Sequence, residues 1–272
     1  MDMKCKCATY RYSARLAVLS RAPFMCWEVD MYFSRVRVSP VHLQQFAKLF
    51  QYNHYQLHQL LWKLFQDKPD DKRDFLFRQD SDKQGLPVFY LLSKYPPISI
   101  DHSFIIETKS YHPQLRTGDT LGFSLRANPV EQSSRARTAE ENAVLREQRR
   151  AKGLREKEIL PQKRIHHDVV MHLKKSLGEE ERHLYSQAEL EQKAGERWLQ
   201  ERAEKNGFRL LSVTAQGYLQ HHFKKRQIKI STLDYDGVLQ ITDPELFVTK
   251  ALYRGIGRSK AFGCGFLMIR RI

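Results

Sequence analysis

The segment YQLHQLLWKLF, residues 55–65, sets a phenol and an imidazole three positions apart. On a helix that spacing makes neighbours of Tyr55 and His58, with Trp62 on the same arc. Leu57, Leu60, Leu61, Leu64 and Phe65 fill the adjoining arc, the core face of an amphipathic helix. An imidazole titrates near neutrality and is the usual group for moving protons on and off oxygen. A histidine beside an apolar face is more commonly a packed or surface residue than a catalyst, so this pair calls for a second feature that brings a substrate.

GIGRSKAFGCGF, residues 255–266, is such a feature. Gly255, Gly257, Gly263 and Gly265 surround Arg258 and Lys260. Glycine reaches positive φ without penalty and admits close approach of a ligand or another backbone, while weakening any regular element that contains it. Turn N–H groups flanked by two cations attract phosphate. A helix cap followed by a tight turn into the final strand FLMIRRI gives the same composition. Another basic run, HHFKKRQIK, carries Lys224, Lys225, Arg226 and Lys229 into a strand. It reads as a basic β-hairpin that meets a duplex groove, or as a lysine-protected strand edge. Metal chemistry is not legible: Cys5-x-Cys7 lacks the second half of a zinc quartet, the ten histidines other than His58 offer no H-x-x-x-H or H-E-x-x-H array among themselves, and no acidic cluster of the two-metal kind occurs. Neither a metal nor a cofactor is expected.

The elements that must hold these groups alternate strand and helix. MYFSRVRV opens at Met31 with Tyr32, Ser34, Val36 and Val38 alternating with Phe33, Arg35 and Arg37, as an amphipathic strand does. The helix over 55–65 follows, then strands at DFLFRQ and VFYLLSK around the turn DSDKQG, and strand-like FIIETKS and GFSLRANP. A second block has a helix at AELEQKAGERWLQERAEKNG, strands FRLLSVTA, QIKISTL and GVLQIT, a helix from Pro244 to about Tyr253 capped by Asp243, and a last strand from Gly265. Two βαββαβ-like units predict an α+β fold of tandem ferredoxin-like sheets with a basic surface. The expected boundaries are an N-terminal unit over 31–122, a connecting strand and charged linker over 123–187, and a C-terminal unit over 188–272. Within the linker, residues 133–164 read as a solvated helix or linker with a cationic excess. Residues 1–30 show neither strand alternation nor a complete helix face, and no A-x-A-like site follows LAVL. They are expected to be a leader outside the fold.

A formal charge of +15 on 272 residues points to a polyanionic partner, nucleic acid first. With 41% hydrophobic and 11% aromatic residues the chain has material for real cores. No apolar run of about 18 residues occurs, so no membrane partner is expected through a spanning helix. Beyond the leader Cys264 stands alone, which fits a reducing cytosol and predicts a cytoplasmic location.

Taken in order, MYFSRV, YQLHQLLW, RDFLF, LRANP at 125–129, a WL-containing helix, YDGVLQITDPELF and GIGRSKAFGCGFL resemble the CasE family, the CRISPR RNA-processing endoribonucleases of the type I-E system. The resemblance runs from Met31 to near Ile272; the long charged middle and the segment HLQQFAKLFQYNH depart from it. It implies a metal-independent ribonuclease that binds a CRISPR repeat RNA hairpin and cuts at its 3′ base. There the 2′-hydroxyl attacks the adjacent phosphate to leave a 2′,3′-cyclic phosphate and a 5′-hydroxyl. It also implies that the mature RNA stays bound and that the protein joins the other subunits of Cascade. His58 matches the family's catalytic histidine, and Tyr55 the tyrosine that assists or orients the 2′-hydroxyl in some members. Lys260 and Arg258 become the candidates for phosphate, with Gly257, Gly263 and Gly265 shaping the approach of the RNA. The alternative is a noncatalytic RNA-binding scaffold that uses the same basic surfaces, and the Tyr55/His58 arc discriminates the two.

Overall fold

The computed structural model describes residues 30–44, 54–65, 75–99, 101–153, 162–223 and 228–272. Residues 1–29 of the expected leader, the HLQQFAKLFQYNH segment from residue 45 to 53, and Lys224, Lys225 and Arg226 lie outside them.

Strand β1 (Tyr32–Val38) buries Ser34, Val36 and Val38 in alternation, as its sequence pattern requires. It is followed by α1 (His54–Trp62), β2 (Phe75–Ser81), β3 (Pro87–Ser93) and β4 (Phe104–Ser110). The sheet order is β2-β3-β1-β4 with every neighbour antiparallel, the ferredoxin-like arrangement. Asp82 fixes the β2–β3 turn by accepting from the backbone N–H of Gln84 and of Leu86, each at 2.9 Å. One face of the sheet carries α1: Leu57, Leu61 and Leu64 are buried in one core with Val36, Phe77, Phe89 and Leu91. The crossover from β3 to β4 forms no helix among its described residues.

The second unit begins with β5 (Thr120–Ala127), continues through β6 (Val130–Ala136), α2 (Ala139–Ala151), β7 (Gln162–Asp168) and α3 (Val169–Ser176), and reaches α4 (Gln187–Ala203). Then come β8 (Phe208–Phe223), β9 (Ile228–Ile241), α5 (Pro244–Leu246) and β10 (Leu267–Arg271). Its sheet order, β10-β5-β9-β8, is again antiparallel throughout. Asp243 caps α5 by accepting from Leu246 N–H at 3.0 Å, and the helix widens into a π-helical turn over Phe247–Tyr253 rather than continuing as α. The core is centred on Trp198, which stacks on Tyr235 with centroids 5.8 Å apart and donates from Nε1 to the Val130 carbonyl at 3.1 Å. The two sheets meet at a second apolar cluster, in which Met31, Leu76 and Leu92 of the first unit pack with Phe266 of the second.

Three expectations change. β5 pairs with β9 and β10, so the second unit starts at Thr120, and the boundary at 188 gives way. Residues 130–153 and 162–168 are no plain linker: β6 and β7 pair from Val130↔Asp168 to Ala136↔Gln162 as a two-stranded ribbon, and α2 follows β6. VEQSSRA and QKRIHHD carry no alternating apolar set, because the ribbon buries neither face, so periodicity could not find them. QIKISTL and GVLQIT also prove to be one continuous strand, β9. DYDG resembles a turn in sequence, yet Gly237 stays in the ladder opposite Phe123 and Val213. A Cβ there would collide with the Ser212 carbonyl, where β8 bulges. Among the described residues no helix is long and apolar enough to cross a membrane.

Candidate nucleic-acid interface

The glycine segment forms a loop tied to β5 by backbone bonds. Gly265 N–H donates to the Arg126 carbonyl at 2.7 Å, and Ile256 N–H to the Gly265 carbonyl at 2.8 Å. Gly257, Gly263 and Gly265 have φ of 84°, 78° and 87°, the left-handed region in which glycine is at ease. What comes close to them is the protein itself. A Cβ on Gly265 would stand 2.7 Å from the Ile256 carbonyl, one on Gly257 3.1 Å from the Trp198 ring, and one on Gly263 3.3 Å from Phe77. The glycines therefore let the loop lie flat between both cores, and that placement presents its cations.

The short turn Lys260–Phe262 in this loop lies against α1 and β2, with Cα atoms within 8 Å. The fold thus brings the helix that carries Tyr55 and His58 beside Lys260, some two hundred positions later in the chain. The side chains of Tyr55 and His58 lie outside the described residues. Lys260 is half-buried and donates from Nζ to the Gly257 carbonyl at 3.1 Å; burial pulls its pKa below the ordinary lysine value. Its neighbour Ser259 takes the left-handed conformation at φ 59° and accepts from Asn128 Nδ2 at 2.6 Å.

Arg258 turns to the opposite side of the loop, into a groove shared with Asn128, His166, Lys175, His222 and Lys229. There its Nη1 meets the His166 ring, 2.6 Å from Nε2. Desolvation, then the charges of Arg258 and Arg164, lowers the pKa of the exposed His166, a shift toward the neutral ring that can accept from the guanidinium. Asn128 Oδ1 is buried without a hydrogen-bond partner at the same groove. The groove runs onto the β8–β9 hairpin, which is paired out to Phe223↔Ile228 and whose tip holds the basic run. Arg258 and Lys229 are therefore brought together, whereas Lys260 belongs with α1 on the other side of the loop. His166 and Lys175 escaped the sequence reading because they sit in the inserted segment; the only trace was a cationic HLKKS following a histidine pair.

Comparison with known proteins gives this arrangement a family. A family model described as CRISPR associated protein matches residues 31–271. The Cascade subunit CasE of Escherichia coli K12 is 30% identical over 245 residues, which cover 88% of this chain and 98% of that one. The chain belongs to the CasE family. A second CasE-like relative, the endoribonuclease Cse3 of Thermus thermophilus, is 23% identical over 237 residues, covering 80% of this chain and 90% of its own. Among solved structures, Cas6e of Escherichia coli K-12 superposes with a TM-score of 0.54 at 25% identity, covering 89% of this chain and all of that one. Thermus thermophilus Cse3 bound to an RNA representing a pre-cleavage complex superposes with a TM-score of 0.59 at 23% identity, covering 89% of this chain and 99% of the other. The tandem ferredoxin-like architecture is thus that of the CasE family.

Proposed function

We propose that this CRISPR-associated endoribonuclease processes precursor CRISPR RNA, binding the repeat hairpin and cutting at the 3′ base of the stem without a metal. The observation that supports the reading is that α1, the helix whose sequence carries Tyr55 and His58, packs against the Lys260–Phe262 turn with its half-buried cation. In this reading His58 moves a proton, to or from the reacting oxygens, as the 2′-hydroxyl attacks the neighbouring phosphorus. Tyr55 orients that hydroxyl, and the Lys260 ammonium meets the charge that gathers on the phosphorane oxygens. The P–O bond to the 5′-oxygen breaks as the bond from the 2′-oxygen forms, leaving a 2′,3′-cyclic phosphate and a 5′-hydroxyl.

The groove holding Arg258 and Lys229 supplies phosphate contacts that hold the stem, and the cations Lys224, Lys225 and Arg226 of the same basic run add to its attraction for the backbone. The A-form shape of a hairpin supports its selection over a single strand. After cleavage the mature RNA stays bound and the protein takes its place among the Cascade subunits, as the name of the Escherichia coli relative supports.

The test is to incubate the protein with its repeat RNA in EDTA and to analyse the ends. Cyclic phosphate and 5′-hydroxyl termini are expected. A single 2′-deoxy substitution at the nucleotide 5′ of the scissile phosphate should stop the reaction. Tight hairpin binding without any cutting would leave a noncatalytic scaffold as the reading.

A further inference from the structure

Beside the Lys260–Phe262 turn lies a cavity of about 130 Å³ that the reaction above does not use. It is built by both sheets. Phe77 and Gln79 come from β2, Arg126 from β5, and Leu219, His221, Ile230, Thr232 and Asp234 from the β8–β9 hairpin, with Phe262 and Gly263 completing the wall. Its walls are aromatic and aliphatic with a few convergent polar groups, the make-up of a pocket for a flat heterocycle.

Most of those polar groups are already committed. Arg126 holds Asp234 through two parallel bonds of 2.7 Å, and His221 Nε2 meets Thr232 Oγ1 at 3.0 Å. Gln79 is different: its Oε1 is shut away from solvent and has no hydrogen-bond partner. A buried amide oxygen left unpaired costs stability that a donor from a ligand would recover. Phe262 packs on Phe223 with centroids 4.9 Å apart, and Phe223 stacks on His221 at 6.4 Å, so the ring at the cavity mouth is braced by a row of rings. Such a braced aromatic ring is a stacking platform for an unpaired base.

We propose that this cavity receives the base of the first unpaired nucleotide 3′ of the scissile phosphate, and that Gln79 reads it. This assignment rests on the cleavage reading, in which the nucleotide 5′ of that phosphate is held in the stem and only the 3′ one is free to splay out. Gln79 Oε1 accepts from an exocyclic amine while its Nε2 donates to the adjacent ring nitrogen, which selects adenine or cytosine over guanine and uracil. Phe262 supplies the stacking face.

The experiment uses the full chain and repeat RNAs carrying each of the four bases at that nucleotide. The wild type is expected to cleave the adenine and cytosine RNAs about tenfold faster than the guanine and uracil RNAs, the lower range for one amide–base pair. Gln79→Leu, checked for an unchanged melting temperature, should shrink that ratio to within about twofold. Equal wild-type rates for all four bases, or a preference that survives Gln79→Leu, overturns the proposal. A binding arm separates the pocket from the chemistry: an RNA with 2-aminopurine at the same nucleotide and a 2′-deoxy residue before it reports stacking without being cut. Its fluorescence should change on binding to the wild type and not to Phe262→Leu, which keeps the packing volume without the ring. A Phe262-dependent signal with no cleavage of the all-ribose RNA would retain the pocket and remove the cleavage reading. Cleavage with no fluorescence change would do the reverse.

Discussion

His58 and Lys260 divide the proposed work between them, and the division is measurable. Replacement of His58 by alanine should slow cleavage about a hundredfold to ten-thousandfold, the range for one general acid or base, with RNA affinity near that of the wild type in a filter-binding assay. Affinity is spread over many cations, so one imidazole does not govern it. Tyr55→Phe should cost less in rate. Lys260 should show itself through pH. Its folded pKa lies below the unfolded value because burial penalises the charged form, so the ammonium weakens stability at low pH and the penalty fades as pH rises past the folded pKa. Bound phosphate reverses that preference and draws the proton back. Affinity for RNA should therefore fall as pH is raised into the alkaline range. Lys260→Arg, charged at every pH used, should flatten that fall. Identical pH profiles for the two proteins would remove Lys260 from the phosphate contact.

The ribbon β6–β7 and its helix α2 behave as an element with little of a core. No residue of α2 is buried, so its 13 residues depend on local devices. Thr138 and Glu141 form a capping box at its start, and Glu141 also takes Arg135 and Lys163 at 2.6 Å each. The hydrogen bond from Arg135, then that from Lys163, brings the Glu141 pKa down to about 2. Because the folded pKa is depressed, this contribution is complete above the usual glutamate value and is lost as pH falls toward 2. Amide protection in α2, relative to the intrinsic exchange rate at each pH, should accordingly fall between about pH 4.5 and pH 2 while β8 and β9 remain protected. Glu141→Gln should show the faster exchange already at neutral pH. Synchronous exchange of α2 with the sheets would mean that the helix is held by packing instead.

Across the molecule, the proposed mechanism makes activity depend on the angle between the two units, because α1 belongs to the first and the Lys260 turn to the second. Phe266, 2% exposed, packs with Leu76 and Leu92 at that joint, and Phe33 stands 6.0 Å from its ring. Phe266→Ala should lower stability by about 3–5 kcal/mol in urea unfolding and slow cleavage beyond what the folded fraction explains. Binding should fall steeply with salt, as expected for a partner held by phosphate contacts. Joint neutralisation of Lys224, Lys225 and Arg226 should weaken hairpin binding more than the same change at Arg149 and Arg150 of α2. Equal losses would argue against a groove-reading role for the β8–β9 hairpin.

The sequence by itself determined the parts that rest on local pattern. The core arc of α1 at Leu57, Leu61 and Leu64, the alternation in β1 and the Asp243–Pro244 helix start all follow from periodicity and capping, and each stands in the structure. The family was legible because several motifs recur in a fixed order from Met31 onward. Only the tertiary structure decided which distant groups meet. Tyr55 and His58 precede Lys260 by most of the chain, and it is sheet order, which no periodicity encodes, that sets α1 against the Lys260 turn. The glycines could be seen as close-approach positions, but what approaches them, Trp198, Phe77 and the Ile256 carbonyl, comes from packing. Gln79 gave no signal in the sequence, since a polar residue in a strand acquires meaning only when folding shuts its oxygen away from water without a partner.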